Sequence, residues 1–238
     1  MTGMNRAVNR RDFLKGTLAA TAGSALALSL EERALLAGIA SKPSGPASQK
    51  SADLLPTGKI GKRKVTRLIC GGNLISGFAH SRDLIYVSSM LRHYFTDEKI
   101  WETLHLCEEF GINTALLRTD DHVMKILDTY WNKRGGKIQW LAQVYPKEGD
   151  TRTNIRKAVD AGAMACYIQG DIGDRWVKAG RVDLIEKALG TIKDAGVPAG
   201  VGGHSLSVPM AIEAAGLEPD FYMKTLHRSD YWSYSKEG

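Results

Sequence analysis

An α/β chain built around a parallel sheet is what this sequence predicts, and three observations predict it. From Lys64 onward, short runs rich in apolar and β-branched residues alternate with amphipathic helical runs. Nearly every helical run closes on glycine before the next apolar run begins. The apolar runs are continuous rather than alternating, the pattern of strands buried on both faces, and strands joined through helices run parallel. Each unit spans roughly thirty residues, the length of a strand–helix–strand crossover. An open doubly wound sheet and a closed (β/α)8 barrel both fit this rhythm. The open sheet would usually carry a Gly-rich nucleotide turn after its first strand. "ICGGNLISG" (69–77) follows that strand, but it lacks the G-x-G-x-x-G order and no helix begins there. The reading favours a TIM-type (β/α) barrel with about six units present.

The expected strands are Thr66–Cys70, Asn113–Leu117, Ile138–Gln143, Ala165–Gln169, Ala199–Val201 and Phe221–Leu226. Thr96 is placed to cap "DEKIWETLHLCEEF", with Lys99 where a full capping box would have Glu. Asp121 precedes "HVMKILDTYWNKR", which Gly135-Gly136 end as a C-cap does. "TRTNIRKAVDAG", "RVDLIEKALGTIKDAG" and "SVPMAIEAAG" repeat the form, with Pro209 tolerated near a first turn. Setting aside the first 50 of 238 residues leaves 188, against ~250 for a typical eight-unit barrel. The barrel domain, 59–238, is therefore expected to lack its C-terminal units.

Ahead of it lies a leader. "NRRDFLKGTLAATAGSALALSL" pairs Arg10 with Arg11, then runs through Phe13, Leu14 and Lys15 into a weakly apolar stretch ending at Leu30. Residues 1–40 therefore read as an export signal resembling the twin-arginine type, whose machinery carries folded proteins. The stretch is shorter than the ~20 apolar residues a membrane span needs. The expected location is periplasmic or extracellular, with membrane anchoring the alternative if the signal stays uncleaved. Residues 41–58, "SKPSGPASQKSADLLPTG", form a linker without periodicity.

The formal charge is +6, but the leader and linker account for most of it. Residues 1–50 hold seven bases and three acids, so the remainder carries 25 and 23, close to +2. No basic stripe with interleaved aromatics is present, which argues against a nucleic-acid partner. Cys70, Cys107 and Cys166 are odd in number and sit among apolar neighbours, the pattern of buried free thiols.

Barrel enzymes carry their working groups at the C-terminal ends of the strands. Read this way, the first strand delivers Asn73, His80 and His93, and the second Arg118, Asp120, Asp121 and His122. The third delivers Gln143, Tyr145 and Lys147, the fourth Gln169, Asp171 and Asp174, the fifth His204, and the last Lys224 and His227. Histidines and carboxylates on one rim suit either acid–base work or a divalent metal. The expected substrate-binding set is Asn73, Arg118, Asp120, Gln143, Tyr145, Gln169 and His204, with Arg118 anchoring an anionic or hydroxyl-rich small molecule through its planar fork. The expected catalytic set is Asp121 and His227 as acid–base pair and Lys224 polarising a carbonyl. Against this, one of Asp120 and Asp121 also serves as a helix cap, and Asp171 and Asp174 equally suit solvated loop charge or capping. Gly71-Gly72-Asn73 fits a tight strand exit. Tyr145, Trp176 and the "YWSY" of 231–234 are candidate platforms for a sugar ring, while Trp140 reads as core.

"GKIGKRKVTRLICGGN" resembles the opening of aldo/keto reductases, in which a small hairpin precedes the first strand. "LHLCEEFGINT" is similar to their junction into strand two, and "IEKALGTIKDAGVPAGVGGHS" to their fifth unit. The resemblance covers residues 58–227 and implies a (β/α)8 barrel, an NAD(P) cofactor and a carbonyl substrate. The family's tetrad is not carried over. Thr114 to Arg118 contain neither its aspartate nor its tyrosine, Gln143 stands where its lysine belongs, and Gln169 where its histidine belongs. The function expected on this basis is an exported aldo/keto reductase-like protein acting on a sugar-type or carbonyl substrate. The alternatives are a metal-assisted or cofactor-free sugar isomerase, epimerase or lyase, and a non-catalytic ligand-binding barrel.

Overall fold

The computed structural model describes residues 55–79 and 84–226. The leader, His80, His227 and the 231–234 aromatics lie outside them. The described residues form one compact unit. It begins with a hairpin, β1 (Thr57–Ile60) and β2 (Arg63–Thr66), turned at Gly61. Six parallel strands follow in sequence order as a curled half-barrel: β3 (Cys70–Gly71), β4 (Thr114–Arg118), β5 (Gln139–Val144), β6 (Ala165–Ile168), β7 (Ala199–Gly203) and β8 (Phe221–Lys224). The described helices are α1 (Val87–Tyr94), α2 (Asp97–Glu109), α3 (Asp121–Arg134), α4 (Thr153–Asp160), α5 (Gly170–Lys178), α6 (Val182–Asp194) and α7 (Ser207–Ala214).

The first expected strand divides. Thr66 closes the hairpin and only Cys70–Gly71 join the parallel sheet. The other five fall within a few residues of expectation. Helix ends follow the caps read from sequence. Thr96 Oγ1 accepts from Lys99 N at 3.3 Å and Asp120 Oδ1 from Val123 N at 2.9 Å. Gly135 ends α3 in the left-handed region at φ 73°, a conformation glycine adopts without a Cβ penalty.

Alternation along each strand sorts the side chains into two layers. Ala115, Leu117, Trp140, Ala142, Val144, Cys166, Ile168 and Val201 face the helices in the larger core. Leu141, Ala165 and Tyr167 face the concave side, where Val65 of the hairpin packs against them with Leu116, Phe221 and Met223 alongside. The hairpin thus plugs the N-terminal end of the half-barrel.

Asn113 ties that plug down. Its Oδ1 accepts from Thr66 N at 3.1 Å and Thr66 Oγ1 at 3.2 Å, and its Nδ2 donates to Lys64 O at 3.0 Å. Gln139 Nε2 donates to the same carbonyl at 2.8 Å. Thr114 Oγ1 also donates to Oδ1 at 2.8 Å, so Asn113→Ala removes four bonds at once, at about 1 kcal/mol each. Urea unfolding should show a loss of about 2–4 kcal/mol, and a loss below ~0.5 kcal/mol, the range of an ordinary surface change, would refute the tether.

Candidate functional site

At the C-terminal end of the sheet the strands empty into one cavity of about 710 Å³. Its wall includes Asn73, Arg118, Gln143, Tyr145, Gln169 and His204, with Gly71-Gly72 at one side and Met223 and Thr225 at the other. Ladder register explains the convergence. Arg118 pairs with Gln143, and Gln143 with Tyr167, so all three project from the concave face in one row. Tyr145 and Gln169, two residues further on, form the next layer toward solvent.

A hydrogen-bonded chain runs along these layers. Tyr145 donates its hydroxyl to Gln143 Oε1, and Gln143 Nε2 donates to the Tyr167 hydroxyl at 2.7 Å. Burial pushes the Tyr145 hydroxyl up to about 12, with Asp120 adding to the rise and Arg118 opposing it. Burial also raises Tyr167, against the bond from Gln143. Both phenols therefore stay protonated donors at neutral pH.

Arg118 is clamped between two rings, its Cζ 4.4 Å from the Phe78 centroid and 4.7 Å from that of Tyr145. Such cation–π contacts hold a guanidinium without consuming its N–H groups. Its Nε lies 3.5 Å from Asp120 Oδ2, close enough for charge attraction. The alignment does not make a hydrogen bond, and Nε is buried without a partner among the described residues.

His204 stands at the end of β7, held by Asp174 of α5. Its Nδ1 is 2.6 Å from Asp174 Oδ2, and the amides of His204 and Ser205 each donate to Oδ1 at 3.0 Å. Burial alone would raise the Asp174 carboxyl. The hydrogen bonds from the His204 ring and the Ser205 and His204 amides, with the ring's charge, outweigh it and hold the carboxyl below its ordinary range. An ionised Asp174 orients the ring through Nδ1, the kind of partner that positions a working histidine. Glycines allow this placement. A Cβ on Gly170 would lie 3.2 Å from His204 Cε1, and one on Gly173 would lie 2.1 Å from Gly202 O. Helix α5 therefore lies directly on the backbone of β7.

Other expected residues are placed elsewhere. Asp120 is the α3 N-cap and does not line the cavity, although it neighbours Arg118. Asp121 points outward, 88% exposed and paired with Lys157. Lys224 Nζ is taken up by the carbonyls of His204 at 2.6 Å and Thr225 at 2.7 Å. His122 pairs with Asp97 at 2.8 Å, on the helix layer rather than the rim, and His93 lies in the last turn of α1. Trp176 is core, not a ring platform. His227 lies outside the described residues. Among those residues no cluster of three His, Cys, Asp or Glu side chains forms a metal site.

Sequence reading places Asp174 on the rim without its partner and leaves Tyr167 out of the site. Asp174 was expected as loop charge or a cap because α5 itself was not expected. Ile172 and Trp176, buried at i and i+4, carry the helical signal. Tyr167 was read only as part of a strand.

Comparison with known proteins adds one match. Residues 7–27 match the model of the TAT (twin-arginine translocation) pathway signal sequence. No curated protein matches the chain. Among the described residues no helix is long and apolar enough to cross a membrane. Arg10→Lys with Arg11→Lys should leave precursor in the cytoplasm on fractionation, and undiminished export of that double variant would refute the role of the pair. The protein is thus an exported one, addressed to the twin-arginine machinery and carrying a curled, partial (β/α) barrel with one cavity-lined rim.

Proposed function

We propose that the protein is an enzyme acting on a small sugar-type substrate bearing hydroxyl and carbonyl groups, with His204 as its acid–base residue. The observation that carries this reading is the His204–Asp174 pair, its ring on the wall of a cavity whose polar side chains include the Asn73, Gln143 and Gln169 amides, the Tyr145 and Tyr167 phenols and the Arg118 guanidinium. A histidine oriented by a carboxylate at a cavity wall can take a proton from a hydroxyl or from carbon beside a carbonyl and return it elsewhere. This pair takes the role expected of Asp121 and His227. The chemistry that needs no more than such a pair and hydroxyl-binding donors is isomerisation, epimerisation or elimination.

The aldo/keto reductase resemblance supports a second reading, an NAD(P)-dependent oxidoreductase, and the β1–β2 hairpin before the first parallel strand fits it. The donor set does not fit the family's hydride chemistry. Gln143 and Gln169 stand at the strand ends where its lysine and histidine belong, and neither amide titrates.

The test is proton exchange. Mature protein would be incubated in D2O with a panel of aldoses, ketoses and their acids, and loss of the C2–H signal followed by NMR. Exchange without added cofactor, abolished in His204→Asn, is expected. No exchange on any member, with NADPH consumed on the same panel, would overturn the reading in favour of the oxidoreductase.

A further inference from the structure

We propose that the cavity's ligand is a carboxylate-bearing sugar, such as a uronic or aldonic acid, whose carboxylate seats on Arg118 while its hydroxylated remainder reaches Tyr167 and His204. This rests on the reading of the cavity as a sugar-type site and names the class of sugar.

The first support is the state of Arg118. Its guanidinium donates no hydrogen bond to any described residue, yet Nε is buried and the group is clamped between Phe78 and Tyr145. Burying N–H donors of a cation without acceptors is costly, and two rings holding the group beside a cavity make it ready for an acceptor from outside. A planar fork of N–H groups matches two oxygens on one carbon, the geometry of a carboxylate.

The second support is the charge around it. Among the described residues lining the cavity, Arg118 is the one permanent cation. Asp120 already lies 3.5 Å from its Nε, and Asp171, also on the wall, pairs with Arg175 at 3.0 Å. With Asp120 already offsetting it, the guanidinium holds a carboxylate through N–H groups that meet no described acceptor, and not through surplus positive charge on a wall that carries these carboxylates. A phosphate dianion would bring a second, uncompensated charge toward them.

The third support is the far end. The Tyr167 hydroxyl accepts from Gln143 and donates to no described residue, so its proton is directed at whatever fills the cavity. Arg118 and Tyr167 flank Gln143 in one row, two strand spacings apart, or roughly 10 Å between backbones. Side chains converging from that separation bracket one sugar ring with a carboxylate at one end, within a cavity of about 710 Å³.

Calorimetry on the mature protein with glucuronate against glucose, galacturonate against galactose, and glucose 6-phosphate tests this. At least one uronate should bind about 10-fold or more tighter than its neutral aldose, the worth of a charge-assisted pair. Arg118→Met, which keeps an apolar stem between the rings, should bring uronate affinity down to the aldose level. Arg118→Lys should restore only part of the preference. Tyr167→Phe should weaken uronate and aldose alike. Equal binding of uronate and aldose, tighter binding of the phosphate, or a preference that survives Arg118→Met would overturn the carboxylate assignment. His204-dependent exchange on neutral sugars would then still stand. If no sugar of either kind binds, the sugar-type reading falls and this inference with it.

Discussion

Gly173→Ala should cost the protein about 3 kcal/mol, the upper end of what overpacking does, and lower its melting temperature by on the order of 10 °C for a domain of this size. The added methyl would sit 2.1 Å from the Gly202 carbonyl oxygen, a backbone atom that no side-chain rotation can clear. Either α5 lifts from β7 or the strand end bends. Both movements carry Asp174, the next residue, away from the His204 ring and the Ser205 amide. The matched control is Gly190→Ala in α6. Nothing lies within 4 Å of its Cβ position, so the same chemical change should leave stability unchanged or raise it by up to about 1 kcal/mol through helix propensity. Calorimetric melts of the two variants decide the matter. Equal melting temperatures would show that the α5–β7 contact yields, and that the geometry around His204 is not held from below.

Asp174→Asn should lower turnover by about 10²–10⁴-fold on the proposed chemistry, the range over which acid–base groups contribute. The amide keeps the size of the carboxylate and its acceptor for the Ser205 N–H, but a donor set against Nδ1 forces the histidine proton onto Nε2. The base then becomes a donor at the atom where a lone pair is needed. A pH signature accompanies this. The native Asp174 carboxyl lies below its ordinary value, which is about 3.9 in the unfolded chain. Its stabilising contribution is therefore complete above that value and disappears as pH falls through the lower native one. The variant should show a flatter acid limb in stability against pH. A variant with full turnover and an unaltered acid limb would remove Asp174 from both roles.

Much of this arrangement was open to reading from the residues. Parallel strands at the right places followed from continuous apolar runs, and Arg118, Gln143, Tyr145, Gln169 and His204 meet because strand ends in a curled sheet share a rim. Caps were legible where one side chain meets one amide, as at Thr96 and Asp120. What could not be read depends on packing between distant segments. Asp174 becomes a partner of His204 only because Gly173 and Gly202 let two elements touch. Asp121, one residue from Asp120, turns outward because the first turn of α3 rotates successive side chains by about 100°. Lys224 loses its charge-bearing nitrogen to backbone carbonyls that lie twenty residues away and next door.

The strand order β3-β4-β5-β6-β7-β8 bears on how the chain reaches its exporter. Every ladder joins neighbours in sequence, so each strand has its partner as soon as one or two intervening helices have been made. Parallel pairing of this kind closes loops of roughly 20–45 residues, slower than hairpin closure, but it lets the sheet grow in the order of synthesis. The hairpin's hydrogen bonds reach from Lys64 to Gln139, across 75 residues, and its apolar contacts reach further, from Val65 to Ala165 and Tyr167. A chain addressed to the twin-arginine machinery must be folded before it leaves the cytoplasm. This one has a sheet whose strands can pair in the order of synthesis, while its basal plug, hydrogen-bonded early to Asn113 and Gln139, gains its apolar contacts only once Ala165 and Tyr167 are in place.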